Sequence, residues 1–195
     1  MDVSGSVTNS GTFTLANDSA GSGTITAAAI SNSGTLQSKG AATLNLASSL
    51  SNSNELLTTG ALTVRGTDAS YTLSNTARMQ SGGLMDIKGI DGGKGVDITV
   101  GGSGLMLGGS MSVNTDALTV DTGGMISSSA DMSLTANTLS FGGTTSRIVA
   151  ATSGTGTASI TLANSFSNNG AVHSGGNLGF SAPSITNTST GTIAV

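Results

Sequence analysis

A short motif recurs down the chain, and it constrains the fold more than any other feature. Ile30-Ser31-Asn32-Ser33-Gly34-Thr35-Leu36 is matched closely by Val7-Thr8-Asn9-Ser10-Gly11-Thr12-Phe13. It returns as Leu50-Ser51-Asn52-Ser53-Asn54-Glu55-Leu56, as Leu73-Ser74-Asn75-Thr76-Ala77-Arg78-Met79 and as Phe166-Ser167-Asn168-Asn169-Gly170-Ala171-Val172. Ile185-Thr186-Asn187 begins a last copy. Three further starts, Ile98-Thr99-Val100, Leu118-Thr119-Val120 and Leu139-Ser140-Phe141, keep the spacing but lack the asparagine. Starts at 7, 30, 50, 73, 98, 118, 139, 166 and 185 lie 19 to 27 residues apart. That period belongs to solenoids and related arrays.

Each repeat carries a second signal near its end, two apolar residues flanking a polar or small one. Leu44/Leu46, Leu62/Val64, Met111/Val113, Met132/Leu134, Ile160/Leu162 and Leu178/Phe180 are examples. Such alternation marks a strand with one buried face. No stretch sustains helical spacing, and β-branched residues punctuated by Gly, Ser and Asn favour strands. A repeat of about 22 residues with two or three short strands suits one rung of a parallel β-helix, rungs being about 4.8 Å apart. The pattern therefore predicts an all-β parallel β-helix of about eight to nine rungs of roughly 22 residues. It spans 1–195 as one domain, with longer rungs at 73–97 and 139–165.

In such a coil, equivalent residues stack in lines. Val7, Ile30, Leu50, Leu73, Phe166 and Ile185 are expected in one inward line, and Phe13, Leu36, Leu56, Met79 and Val172 in a second. Met79, Met111, Met125 and Met132 suit irregular core gaps. Glycine, 30 of the 195 residues, serves corners that need positive φ or a tight bend. Asn9, Asn32, Asn52, Asn75, Asn168 and Asn187 hold one position relative to their apolar neighbours. They are expected to stack as a structural amide ladder; the plainer alternative is ordinary turn formation. Insertions at 88–95 and 150–156 are expected to break the register and protrude on one face.

Composition bears on partners and chemistry. With 36% hydrophobic residues and a net charge of only −4, the chain departs from the disordered class. Six Lys+Arg against ten Asp+Glu leave no basic stripe for nucleic acid. No run approaches the roughly 20 apolar residues of a membrane span. The absence of cysteine removes disulfides and thiolate chemistry, and suits a chain that crosses a periplasm unfolded. Met1-Asp2-Val3 shows neither a charged nor an apolar leader region, so an exported parent protein is expected to be longer than this stretch.

Catalysis is not expected. Glycoside hydrolysis needs facing carboxylates, and lyase chemistry a base, often with clustered acids around calcium. The nine Asp and Glu55 mostly stand singly, and Tyr71 is the only Tyr in a chain without Trp, so sugar platforms are scarce. No catalytic residue, metal site or cofactor is predicted. The densest charged cluster, Asp86, Lys88, Asp91, Lys94 and Asp97, is the candidate for holding a sugar or cation; the weightier reading is a solvated loop. Residues 92–97 look like the start of a calcium-binding nonapeptide but lack tandem copies. His173 has no nearby partners of ligand type.

The run from Ile30 to Val64 resembles the haemagglutinin repeats of filamentous-haemagglutinin-type exoproteins. That family includes two-partner-secretion adhesins and the stick proteins of contact-dependent growth inhibition. The shared pattern is an apolar-Ser-Asn-x-Gly-x-apolar turn followed by an apolar-x-apolar strand. It covers 7–80 and 166–187; 98–145 keeps the spacing without the turn. The resemblance implies a right-handed β-helix, export through an outer-membrane secretion partner, and display at the Gram-negative cell surface or release from it. The family's asparagine-proline secretion motif is missing, since Pro183 is the only proline, so the likeness is to the shaft. The expected role is a shaft segment projecting a distal adhesive or toxic module. One alternative is a segment that itself recognises a host or target-cell receptor or glycan, motivated by the divergent middle, 86–147. A β-helical polysaccharide lyase or hydrolase is the second. The last repeat stops soon after its start without a polar cap, so end-to-end self-association, or capping by the N-terminal residues, is expected.

Overall fold

The computed structural model describes residues 1–90 and 96–195. About 67% of the chain is strand, and the described residues contain no α-helix. The paired strands run parallel, each bonded to the strand one turn earlier or later. The chain forms a β-solenoid of about 9 turns of about 22 residues.

One turn shows how the coil is made. Ala41–Asn52 begins in a third column of strands, bends at 47–48 and ends in a first column. A short corner leads to Glu55–Thr58 in a second column, and another to Leu62–Gly66, back in the third. The alternating burial of these strands follows from period-two geometry, which sends every second side chain inward.

The first column aligns all nine motif starts. Val7 pairs with Ile30, then Leu50, Leu73, Ile98, Leu118, Leu139, Phe166 and Ile185. The second runs Phe13, Leu36, Leu56, Met79, Met106, Ile126, Ile148, Val172 and Ile193. Full burial of each such side chain is worth about 1.5–3 kcal/mol, so the stability resides in these lines. Phe166 packs against Phe141 edge to face and against Phe180 at a tilt, at 5.4 Å and 5.1 Å between centroids.

Several expectations need correction. Met125 does not fill the core: it is half-exposed and paired with Leu105 on the outer face, and buried Met85 and Met106 take the inward places. The apolar pairs of the third column are not all equivalent. Leu44 pairs with Val64 and Leu46 with Gly66, because Ala42 fills the place where the next turn has Leu62. Gly66 is small for a reason: a Cβ there would lie 2.8 Å from Cβ of buried Tyr71. The insertions do not break the column register, since Leu73 still pairs with Ile98 and Leu139 with Phe166. Most of the first insertion, 91–95, lies outside the described residues, but the strands that flank the two insertions put them at different corners. The segment between Lys88 and Val96 joins the third column to the first, whereas 151–156 joins the second to the third.

Candidate functional site

The polar groups inside the coil sit at its corners. Each corner turns a strand out of the sheet and strands backbone carbonyls that the ladder no longer pairs. Where the first column meets the second, asparagine amides solve this. Asn9 Nδ2 donates to Asn32 Oδ1 at 2.8 Å, Asn32 to Asn52 at 2.7 Å and Asn52 to Asn75 at 2.7 Å. Asn168 donates to Asn187 at 2.7 Å. Asn9, Asn32, Asn52, Asn75 and Asn168 are buried, and the nitrogens of all but Asn9 also serve corner carbonyls. Asn52 reaches Asn54 O and Arg78 O, each at 3.0 Å, and Asn75 reaches Ala77 O at 2.9 Å and Leu105 O at 3.0 Å.

The middle turns place Val100, Val120 and Phe141 at this position, all buried. There the corner lengthens to four or five residues and closes on its own backbone. Gly104 N donates to Gly101 O at 2.8 Å, Gly124 N to Asp121 O at 2.8 Å and Ser146 N to Gly143 O at 3.1 Å. Gly102 and Gly123 have φ of +58° and +85°, conformations that glycine adopts without strain.

A second inward polar line, at the corner between the second and third columns, had escaped notice in the sequence. Buried Ser38, Thr58, Ser81, Ser128 and Ser174 direct hydroxyls at corner carbonyls, as in Thr58 Oγ1 to Gly60 O at 3.1 Å and Ser128 Oγ to Ala130 O at 2.9 Å. The signal was available as a small hydroxyl residue two positions after Leu36, Leu56, Met79, Ile126 and Val172 of the second column.

The charged candidates are only partly brought together. Asp86 and Lys88 point outward from the third column, where Asp86 accepts from Arg65 at 3.0 Å and lies 3.5 Å from Lys88. Asp97 lies on the first column, paired with Thr72 and Ala117. Asp91 and Lys94 fall outside the described residues, as does most of the nonapeptide-like run. Among the described residues, no three His, Asp or Glu side chains could hold one metal ion. Tyr71 offers no sugar platform: it is buried in the coil, its hydroxyl has no hydrogen-bond partner, and burial pushes its ionisation well above the ordinary tyrosine range.

The outer faces differ sharply. The first column carries a hydroxyl at the same outward position in every turn, from Thr8 through Ser31, Ser51, Ser74, Thr99, Thr119, Ser140 and Ser167 to Thr186. The second column instead presents half-buried Leu105, Leu107, Met125 and Val149 on three successive turns, with Leu57 two turns before Leu107, beyond Gln80. Arg78 and Arg147 end the Leu105–Met125 line. Beside it, Gln37, Lys39, Leu57, Arg78 and Gln80 line a shallow groove of about 280 Å³. Runs such as Leu105-Met106-Leu107 and Ile148-Val149 signalled this in the sequence, because adjacent apolar residues cannot all face inward from a strand. The chain matches no protein family, no curated protein and no solved structure.

Proposed function

We propose that this chain is a structural shaft segment of a large secreted bacterial surface protein, an adhesin or a toxin-delivery exoprotein. It passes the outer membrane through a dedicated secretion partner and holds a distal module away from the cell. The observation that carries this reading is the uninterrupted column register: every motif start stacks on the next, through both long insertions and both kinds of corner. A coil so built transmits load along its parallel ladders. Nine turns at about 4.8 Å give a rod on the order of 40 Å. In-frame deletion of one whole turn, residues 98–117, tests the role in a bacterium that makes the parent protein. Surface labelling of intact cells and the distal activity should persist on a shorter rod. Abolition of the activity with surface display intact would overturn the shaft role, and an absence of surface label on the unaltered protein would overturn the location.

A second reading rests on the second column's outer face. Apolar side chains flanked by Arg78, Arg147, Lys39 and the amides of Gln37 and Gln80 form the one described face where apolar and cationic groups mix over several turns. Such a face suits recognition of a receptor or glycan. Binding on a glycan array that disappears in Leu57→Ser/Leu107→Ser would favour this reading; an array signal indifferent to those changes would remove it.

A further inference from the structure

The outer face of the second column is nearly palindromic along the coil. Its strands present two outward files, Glu55, Arg78, Leu105, Met125, Arg147 and Leu57, Gln80, Leu107, Ser127, Val149, one residue of each file per turn. The centre is the strand that holds Leu105 and Leu107. Two turns to either side of Leu107 lie Leu57 and Val149, both apolar and half-buried. One turn to either side lie Gln80 and Ser127, both able to hydrogen-bond. Two turns to either side of Leu105 lie Glu55 and Arg147, which carry opposite charges.

Those two charges are uncommitted within the chain. Among the described residues, the ion pairs join Asp86 to Arg65 and Lys88, and exposed Arg147 has no acidic partner. Glu55 accepts one long hydrogen bond, from Thr35 Oγ1 at 3.5 Å. Arg78 follows Glu55 in the same file, yet its guanidinium donates to Gln80 Oε1 instead.

We propose that this face pairs with the same face of a second copy, the two coils lying antiparallel side by side. The two-fold axis runs along the Leu105–Leu107 strand, between sheets packed about 10 Å apart. Leu105 and Leu107 then meet their own counterparts, and Leu57 meets the partner's Val149. Glu55 faces the partner's Arg147, twice over by symmetry. Gln80 faces the partner's Ser127, and the stem of Arg78 covers the partner's Met125. Moving the axis to lie between Leu105 and Met125 would oppose Arg78 to the partner's Arg147, a like-charge contact. Parallel coils would set Glu55 on Leu57 and Arg147 on Val149, leaving both charges against aliphatic groups. The contact is isologous, so it closes at the dimer. Its area is at the small end of specific interfaces, so the dimer is weak and reversible. The groups are lateral ones of middle turns, which further turns at either end of the coil would leave uncovered. This stands without the shaft role and gives the apolar face an occupant other than a glycan.

Sedimentation of the chain over a concentration series should show monomer and dimer and nothing larger. Leu107→Lys, outward at the axis, should be monomeric, with Leu105→Lys as a second variant and circular dichroism to check folding. Arg147→Glu and Glu55→Arg should each raise the dimer dissociation constant about tenfold. The double variant Glu55→Arg/Arg147→Glu should bring it back, which a merely structural effect would not do. Ser51→Lys, on the first column's outer face, should change nothing. Nitroxide labels at His173→Cys, one turn beyond Val149, should lie about 30 Å apart in the dimer, against about 10 Å for parallel coils. A wild-type chain that stays monomeric at millimolar concentration would overturn the proposal, and if its glycan binding needs Leu107 the face belongs to a glycan instead. So would a dimer that survives Leu107→Lys, a charge exchange that fails to restore it, or labels about 10 Å apart.

Discussion

The corner after Asn52 and the corner after Val120 do the same geometric work by different means. The first spans two residues and is tied by a buried side chain, whose amide replaces both the carbonyl's lost partner and part of the link to the next turn. The second spans four residues, closes its own backbone hydrogen bond and uses Gly123 at positive φ. With an apolar residue at the inward place, no side-chain donor is available, so the backbone must supply one, and that takes extra chain. The comparison teaches that a buried asparagine permits a two-residue corner, as after Asn9, Asn32, Asn52, Asn75 and Asn168, without enforcing one: after exposed Asn187 the corner takes four residues and closes Gly191 N on Thr188 O at 3.1 Å. The two solutions also fail differently. The amide corner is tied to the turns above and below by buried side chains, whereas the glycine corner adds a backbone bond of its own to links such as Gly123 N to Thr145 Oγ1 at 2.9 Å.

The comparison can be broken most strongly at Asn52. Asn52→Ala removes three inter-turn bonds and takes the Asn52 partner from the buried amides of Asn32 and Asn75. Urea unfolding should show a loss of roughly 2–4 kcal/mol, whereas outward Asn45→Ala should stay within about 0.5 kcal/mol. The reverse exchange, Val120→Asn, places an amide between Val100 and Phe141, where no ladder partner waits. It should destabilise by about 1–3 kcal/mol although it restores the motif residue. Gly123→Ala tests the glycine corner: φ of +85° and a Cβ 2.4 Å from Gly102 O predict a loss of about 1–2 kcal/mol or more. Gly11→Ala, in an amide corner with nothing within 4 Å of the added atom, should change stability by less than about 0.5 kcal/mol. Among the ladder asparagines the smallest loss should come from Asn187→Ala, which removes the last inter-turn amide link at an exposed position, about 1 kcal/mol or less by the same titration.

Much of this architecture was legible before any coordinates. The first column could be read because Leu50, Leu73 and their equivalents each stand two residues before the corner, and corner chemistry announces itself through Ser, Asn and Gly. Lines further from that landmark were harder. Met125 was read as core from the gap-filling habit of methionine alone; it opens its strand at the outward place that Glu55 holds, and Ile126, the next residue, faces in. The offset of Leu44/Leu46 against Leu62/Val64 depends on Ala42 and Gly66 making room for Leu62 and Tyr71, a volume trade between turns that no single repeat reveals. Of the charged candidates, Asp86, Lys88 and Asp97 look like neighbours in sequence, yet the coil sends them to two columns. The outer apolar face crosses five turns, so its members are up to 92 residues apart, from Leu57 to Val149, and only the stacking brings them together.

The claim beneath all of this is that the turns stack without interruption through both types of corner. Spin labels on the outward hydroxyl line test it directly, and the absence of native cysteine makes the labelling clean. With one label at Ser31→Cys, partners at Thr119→Cys, Ser167→Cys and Thr186→Cys lie four, six and seven turns away. Pulsed dipolar measurements should give about 19, 29 and 34 Å, a straight line of about 4.8 Å per turn. A Ser31–Ser167 distance equal to or shorter than Ser31–Thr119 would contradict the account.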